Sequence, residues 1–290
     1  MGNPNYDNCI LGAGIAGLIA FYYLTETTKT RNVLITKSLE SEANTRFQLG
    51  PRFLKYSRDT EALLKRLGLS TATREIFVGW KRNGEIRNCP DLHLGPVDSP
   101  SFTAFQITQT ELAKVLLEKC VTTGVIIDDI TSINYKKITT KKNIYFANHI
   151  ISTIPLNLLT GLLSNSSMAI KISVKKDDWY FFLVDEKEKD SFDYIYGSPT
   201  DPWYRKTYIS ETSQWVYETN KVEPFVAIFQ EWIIGKGIKI SLDQNANLNI
   251  KELGTNINLV GRYGQMNHNI RTEDVIHWAH NYTRKFKKKD

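Results

Sequence analysis

Three glycines near the start of the chain constrain its fold more than any other feature. They belong to the sequence Gly12-Ala13-Gly14-Ile15-Ala16-Gly17. The segment 6–11 predicts a short β-strand, and the spacing of apolar residues at 15–28 predicts a helix. The continuous apolar run at 32–36 predicts a second strand, buried in a parallel sheet. We therefore expect a βαβ unit with a right-handed crossover.

The spacing of these glycines suits a diphosphate group. In a strand–turn–helix unit the first glycine permits a tight turn, the second lets the backbone approach a pyrophosphate, and the third lets helix and strand pack closely. The N-terminus of the helix adds unpaired N–H groups and about half a positive charge. Residues 12–17 are therefore expected to bind the pyrophosphate of a dinucleotide.

The end of the second strand departs from the usual pattern of such sites. They carry Asp or Glu there to bind the ribose hydroxyls, whereas this chain has Thr36, followed by Lys37 and Ser38. Thr36 or Ser38 could still hydrogen-bond a ribose hydroxyl. Lys37 could favour an additional phosphate on the ribose, or it could point into solvent.

Further elements are predicted by periodicity, caps and turns. Helices are expected at 58–67, 110–123 with Thr110 as its cap, 156–163, and 271–285 with Thr272 as its cap. A hairpin is expected at 75–87, and short strands at 125–127, 130–135, 143–146, 149–153 and 258–261. Strand-like runs, including 225–229, dominate residues 168–253 without a comparable helical pattern.

This organisation predicts an α/β fold with two lobes. A Rossmann-like nucleotide-binding lobe would be assembled from the separate segments 1–70, 104–165 and 254–290. A β-rich lobe formed by residues 71–103 and 166–253 would be inserted between them and bind the substrate.

Four motifs occur in an order that resembles the FAD-dependent amine-oxidase superfamily, which also contains protoporphyrinogen oxidase and UDP-galactopyranose mutase. They are the GxGxxGxxxA sequence from Gly12 to Ala20, Arg46…Leu49-Gly50-Pro51-Arg52-Phe53, Ile151-Ser152-Thr153-Ile154-Pro155, and Gly261-Arg262-Tyr263-Gly264…Thr272-Glu273-Asp274-Val275-Ile276. The resemblance covers about half of the chain. The chain departs from the family at Ala43-Asn44-Thr45, where a double glycine is usual, and at the missing acid of the second strand.

The resemblance implies a flavoprotein of the GR2 type with FAD as its cofactor. Besides residues 12–17, it implies that Thr36 and Lys37 face the adenosine ribose and that Ile130 borders the adenine. It places along the ribitol and flavin the residues Arg46, Gly50, Pro51 and Arg52. It places at the pyrophosphate, the ribitol and the pyrimidine edge of the flavin the residues Gly261, Arg262, Arg271 and Thr272, where an arginine or a helix N-terminus stabilises the negative charge of reduced flavin.

Four residues are candidates for contact with the substrate. Arg52 would lie between the two lobes, and His268 follows the Gly264 segment closely in the loop. Tyr204 and Arg205 belong to an aromatic cluster with arginine that could hold a planar or phosphorylated substrate. No residue pattern identifies a catalytic base.

Composition excludes several classes of protein. No run of about 18 apolar residues exists, so a membrane span is not predicted. Three widely spaced cysteines predict neither a disulfide framework nor a zinc site, and the cytoplasm is the expected compartment. His277 and His280 lie three residues apart on a predicted helix, without a third ligand near them in sequence, so no metal site is predicted. The net charge of +6 leaves nucleic acid or a phosphorylated substrate open.

The leading functional hypothesis is an FAD-dependent oxidoreductase that resembles flavin amine oxidases. It would transfer a hydride from an amine-type donor to flavin N5 and then pass electrons to oxygen or another acceptor. One alternative is an enzyme like UDP-galactopyranose mutase, acting on a sugar nucleotide without net redox change. Two others are a flavoenzyme acting on an amine-modified nucleobase in DNA, and a binding module without a cofactor.

Overall fold

The computed structural model describes residues 5–39, 53–82, 84–88, 101–163, 175–186, 190–209, 213–236, 240–244, 256–265 and 270–287. The strands in these ranges are β1 (Asn5–Leu11), β2 (Asn32–Thr36), β3 (Phe53–Lys55), β4 (Thr73–Arg82), β5 (Glu85–Asn88), β6 (Ser101–Thr108), β7 (Val125–Ile127), β8 (Ile130–Asn134), β9 (Lys137–Thr140), β10 (Ile144–Ser152), β11 (Lys175–Val184), β12 (Tyr194–Tyr196), β13 (Arg205–Ile209), β14 (Gln214–Thr219), β15 (Ile233–Lys236), β16 (Ile240–Gln244) and β17 (Ile257–Leu259). The helices are α1 (Ile15–Thr27), α2 (Arg58–Leu67), α3 (Gln109–Gly124), α4 (Leu156–Leu162), α5 (Val222–Phe229), α6 (Gly261–Gln265) and α7 (Thr272–Lys287).

The first sheet is built around a parallel core. Its order is β7-β2-β1-β10-β9-β8, and β17 also pairs with β10. Strands β7, β2, β1, β10 and β17 run parallel, whereas β8, β9 and the start of β10 form an antiparallel meander. The chain therefore builds the sheet outward from β1 on one side and from β10 on the other, so the strand order reverses between these two strands. Such a reversal opens a crevice at the carboxyl ends of the strands, where ligands bind in open α/β sheets.

The two faces of this sheet bury different sets of residues because side chains alternate along each strand. Ile10 and Leu34 point towards α1, which packs against α3 and α7 and is buried along most of its length. Cys9 and Leu11 point to the opposite face, where α4 and the meander cover them. Burying each large apolar side chain contributes about 1.5–3 kcal/mol to folding. The position of α1 is therefore stabilised by its contacts with α3 and α7, which are distant in sequence.

Capping residues and glycines set most boundaries of the helices and strands. The structure corrects the sequence predictions at three places. α2 spans the predicted residues and ends at Gly68, whose φ is 70°. The predicted cap Thr110 is wrong: Thr108 caps α3, because its hydroxyl accepts from the N–H of Glu111 while the Glu111 carboxylate accepts from the N–H of Thr108. Thr272 is the first residue of α7 rather than its cap. The two strands predicted at 143–146 and 149–153 form the single strand β10, which β1 pairs across 146–152.

The second sheet is largely antiparallel and holds a separate core. Its order is β15-β11-β14-β13-β12-β4-β6-β3, with β16 on β11 and β5 on β4. The predicted hairpin is present, since Arg82 pairs with Glu85. One face packs against α5, where the Phe225 ring stacks on Phe182 with 4.8 Å between centroids and Trp215 is fully buried.

The strand-like run predicted at 225–229 is wrong, because these residues belong to helix α5. Its aromatic and β-branched residues favour a strand when they are judged by composition alone. The apolar residues at 222, 225, 226 and 229 nevertheless follow the helical period. Packing of this apolar stripe on the sheet decides the outcome.

The division of the chain into two lobes stays a prediction. The pairing of strand β3 does not follow that division. β3 lies within the segment 1–70, yet it pairs with β6 in the second sheet. The Glu273 carboxylate at the start of α7 accepts a hydrogen bond from the backbone N–H of Lys55 in β3. The second sheet is therefore connected directly to helix α7, which packs on α1 beside the first sheet. None of the helices in the described ranges has the length and apolar character to span a membrane.

A carboxylate and two histidines fasten α2 to α7. Asp59 Oδ2 lies 2.6 Å from Nδ1 of His277, and Asp59 Oδ1 lies 2.8 Å from Nδ1 of His280. Burial alone would raise the pKa of Asp59, but the hydrogen bonds from the two histidines outweigh it and hold the pKa below its ordinary range. No group of three or more His, Cys, Asp or Glu side chains suited to a metal ion occurs in the part of the chain that the structure describes.

We expect Asp59→Asn to lower the free energy of unfolding at pH 7 by about 1 kcal/mol or less, because the bridge is partly exposed and screened by solvent. A depressed carboxyl pKa stabilises the fold fully above the unfolded value near 4, and this contribution is lost as pH falls through the folded pKa. The difference from the parent protein, measured by urea unfolding, should therefore shrink below pH 4. Asp185→Asn, at an exposed position, is the matched control. An equal difference at pH 7 and pH 3 would show that the bridge does not act through charge.

Candidate cofactor-binding site

The turn after β1 requires glycine at its first position. Gly12 has φ of 98°, and a Cβ there would lie 2.9 Å from Cγ2 of Ile154 and 3.0 Å from Oγ1 of Thr153. The Gly12 N–H donates to the carbonyl of Ile35 in β2 at 2.9 Å. Left-handed backbone and close neighbours both exclude a side chain, so the chain turns sharply at the carboxyl edge of the sheet.

The other two glycines of the turn lie in opposite surroundings. A Cβ on Gly17 would lie 1.9 Å from the carbonyl oxygen of Gly12, so α1 is pressed directly onto the turn. No atom lies within 4 Å of the corresponding position on Gly14 among the described residues. One glycine therefore serves close packing, and the other leaves the backbone open on the outer side of the turn.

The N-terminus of α1 is uncapped by any side chain in the described residues. Gly14 occupies the N-cap position with φ −67° and ψ 170°, makes no side-chain cap, and is followed by a first turn without an acidic residue. The first N–H groups of a helix need an external partner. An anion in the open space beside Gly14 would supply that partner and would be favoured by the helix dipole.

Two other segments converge on this turn. The Thr153 hydroxyl, at the end of β10, donates to the Leu11 carbonyl at 2.8 Å, and its N–H donates to the same carbonyl at 3.1 Å. Gly261, with φ of 79°, starts α6 at a place where a Cβ would lie 2.8 Å from Cβ of Ala16. The predicted cofactor residues Ala16 and Gly261 are thus brought together across most of the length of the chain.

Arg262 and Arg271 flank the loop that joins α6 to α7. Arg262 Nε donates to the carbonyl of Ile270 at 3.4 Å, and the Arg271 N–H donates to the Asp274 carboxylate at 2.7 Å. Burial raises the pKa of the Glu273 carboxyl, which lies in the first turn of α7 next to β3. The N-terminus of α7 is therefore fixed against the strand that follows residues 46–52.

The predicted adenosine side lies at the ends of β2 and β7. Thr36 is 6% exposed, and its hydroxyl donates to the Ser38 carbonyl at 3.0 Å, whereas Lys37 is exposed. Ile130 begins β8, three residues after β7 ends. Arg46, Gly50, Pro51, Arg52 and His268 lie outside the described residues.

The predicted substrate residues Tyr204 and Arg205 lie on the second sheet. Arg205 is held between Glu218 and Tyr194: its Nε donates to Oε1 of Glu218 at 2.7 Å, and its Nη1 donates to the Tyr194 hydroxyl. This guanidinium is compensated by a carboxylate and brings no net positive charge. The Tyr204 ring is partly exposed and packs edge-on against Tyr196, with 5.6 Å between centroids.

Sequence reasoning did not single out Glu218 or the bonding role of Thr153. Glu218 pairs directly with Arg205 in the register of β14 and β13, and the alternation of side chains in 214–219 is the signal that could have found it. The sequence indicates Thr153 only as part of the motif from Ile151 to Pro155.

Comparison with known proteins supports the fold and adds no sequence relative. No protein-family model and no curated protein matches the sequence. A crystal structure of reduced UDP-galactopyranose mutase matches with a TM-score of 0.70 at 11% identity, covering 96% of this chain and 93% of that chain.

Two further solved structures are similar. A protein from Exiguobacterium sp. 255-15 assigned as a protoporphyrinogen oxidase has a TM-score of 0.64 at 10% identity, with 100% of both chains covered. The p-nitrophenol 4-monooxygenase PnpA from Pseudomonas putida DLL-E4 has a TM-score of 0.62 at 13% identity, with 99% of this chain and 82% of that chain covered. At these identities the three structures confirm the α/β fold predicted from the sequence.

The surroundings of Gly17 and Gly14 predict that the same substitution destabilises the fold by very different amounts. Gly17→Ala should lower the free energy of unfolding by about 1–3 kcal/mol or more, because its Cβ meets backbone that cannot move aside. Gly14→Ala should cost less than about 1 kcal/mol, because its Cβ meets open space at an N-cap. Urea unfolding of the protein freed of small molecules measures both values, and equal costs would contradict the packing described for α1.

The pairing of Arg205 predicts that Glu218→Gln destabilises the second sheet. The side chains of Arg205 and Glu218 are 26% and 14% exposed, so removing the carboxylate leaves a largely buried cation without its partner. Such losses cost about 3–5 kcal/mol when burial is complete, and we expect about 2–3 kcal/mol here. The exposed pair of Glu85 and Arg87 provides the control, since Glu85→Gln should change stability by less than about 0.5 kcal/mol. Similar effects from both variants would mean that solvent compensates Arg205.

Proposed function

We propose that this chain is an FAD-dependent oxidoreductase whose donor is a small amine-type molecule. The observation that carries the proposal is the N-terminus of α1, which no described side chain caps and where no described atom lies within 4 Å of a Cβ on Gly14. It lies at the carboxyl edge of the sheet where the strand order reverses. The geometry of the three glycines agrees with the role that each would have in binding a dinucleotide.

The residues present fit a dinucleotide with two phosphates. The turn at 12–17 offers backbone N–H groups, and Gly261 brings a second backbone segment against Ala16 at the same place. A Cβ on Gly14 would occupy the space in which the pyrophosphate would lie. Thr36, Lys37 and Ile130 would border the adenosine, and Arg46, Gly50, Pro51 and Arg52 stay proposed along the ribitol and flavin.

When bound, FAD would supply a hydride acceptor at its flavin N5. The chain would bind and orient the cofactor and place positive charge near the part that becomes negative on reduction. Arg262 and the N-terminus of α7 are the groups proposed for that task, together with Arg271 and Thr272. Their positions are fixed by the bonds from Arg262 to Ile270 and from Lys55 to Glu273.

The comparisons support the proposal that this chain is an enzyme, but they do not distinguish between the possible reactions. The three similar structures are described as a mutase, an oxidase and a monooxygenase, so the fold accommodates several reactions. The mutase alternative is favoured by its TM-score of 0.70, which is higher than the 0.64 and 0.62 of the other two structures. It loses support at Arg205, which would suit the diphosphate of a sugar nucleotide but is already paired with Glu218. Action on a nucleobase in DNA stays an open alternative.

The visible spectrum of the purified protein tests the cofactor. We expect a bound yellow flavin that is released on denaturation as FAD, and we expect Gly14→Ala to weaken FAD binding at least about tenfold while the fold is retained. Gly161→Ala is the matched control, because Gly161 in α4 also has no atom within 4 Å of its Cβ position. Protein that stays colourless after addition of FAD would instead support the binding module without a cofactor.

Redox cycling separates the two enzymatic readings. Oxygen consumption or dye reduction with an amine supports the oxidoreductase. Turnover of a sugar nucleotide that begins only after chemical reduction of the protein supports the mutase and overturns the proposed donor.

A further inference from the structure

We infer that Asp129 supplies the carboxylate that binds the adenosine ribose, in place of the acid missing from the end of β2. The inference rests on the proposed FAD site and adds a residue to it. It concerns the choice of nucleotide rather than the chemistry at the flavin.

Of the residues that the structure describes at the end of β2, none provides an equivalent group. Two neighbouring ribose hydroxyls are donors, and an ionised carboxylate accepts from both. Thr36 is buried and its hydroxyl already donates to the carbonyl of Ser38. The next residue, Lys37, is a cation with donors only.

The neighbouring strand brings two acids to this edge. β7 runs parallel to β2 with Ile127 paired to Thr36, and the N–H of Asp128 donates to the Thr36 carbonyl at 2.8 Å. Asp128 is occupied by the protein itself. Its Oδ2 accepts from the Thr140 hydroxyl at 2.6 Å and the Lys142 N–H at 3.3 Å, and its Oδ1 accepts from the Asp129 N–H at 2.8 Å. Asp128 therefore stabilises the conformation of the connection between β7 and β8.

Asp129 is the acid that remains accessible. Its side chain is 33% exposed, and in the described part of the chain its carboxylate pairs only with Lys141, whose Nζ lies 2.9 Å from Oδ2. Lys141 is itself 67% exposed, and such pairs are weak because water screens them. The hydrogen bond from Lys141, together with the charges of Lys141 and Lys37, lowers the pKa of Asp129, so the group stays ionised at neutral pH.

The position of Asp129 in the chain agrees with this role. It directly precedes Ile130, which the family resemblance places beside the adenine, and adenine and ribose are bonded to each other. Lys37 lies near enough to influence the Asp129 carboxylate.

Binding of nucleotides by Asp129→Asn tests the inference without reference to turnover. The cofactor-free protein is titrated with FAD by flavin fluorescence, and ADP and 2′-deoxy-ADP are used as competitors. We expect Asp129→Asn to raise the Kd for FAD about ten- to hundredfold, the range for loss of hydrogen bonds to a charged group. The parent protein should prefer ADP over 2′-deoxy-ADP, and the variant should lose that preference.

Two controls isolate the carboxylate. Lys141→Met removes the partner of Asp129 but keeps the acid, so FAD should bind as in the parent protein or more tightly. Urea unfolding should show that Asp129→Asn keeps the parent fold, since the side chain is partly exposed. Unchanged FAD affinity in Asp129→Asn, or a retained preference for ADP, would overturn the inference while leaving the FAD site in place. A parent protein that binds neither FAD nor ADP would overturn the proposed function as well.

Discussion

The contact between α1 and the turn before it is the constraint on which the first sheet and its helices depend. The backbone of Gly17 lies so close to the carbonyl of Gly12 that no side chain fits between them. This approach aims the helix axis at the carboxyl edge of the sheet and leaves its first N–H groups without side-chain caps. The same contact therefore determines both how the helix packs and where an anion can be held.

The second sheet depends on a different constraint, which is that the charge of Arg205 must be compensated by a carboxylate. One face is closed by α5 and an aromatic core, whereas the other carries Arg205 between Glu218 and two tyrosines. A buried cation is tolerated only with its partner in place. The pair thus defines the register of the central strands, and it limits what Arg205 can offer to a ligand.

Sequence patterns predicted the parts of the molecule that local rules decide. The βαβ unit and the end of α2 at Gly68 follow from apolar periodicity and from single glycines. Helix α5 was missed because its residue types favour a strand while their spacing favours a helix. The sequence predicts Thr110 as the cap of α3, whereas the reciprocal bonds between Thr108 and Glu111 identify Thr108 as the cap.

Long-range contacts of the site could not be derived from spacing. Ala16 and Gly261 meet through packing of segments far apart in the chain, and only the order of family motifs pointed to both. The pairing of Arg205 with Glu218 depends on strand register, which the sequence leaves open until the hairpin turns are known. The role inferred for Asp129 depends on the pairing of β7 with β2, which the sequence alone does not give.

The burial of α1 also bears on how the molecule matures. Its apolar surface is covered in part by α7, which is the last helix that the structure describes. During synthesis on the ribosome, α1 therefore emerges long before its cover does, and its apolar residues stay exposed to water or to chaperones in the interval. Under the proposed function, the turn at 12–17 would take up its nucleotide only after the distal helix docks, which would make loading a late event in the life of each newly made chain.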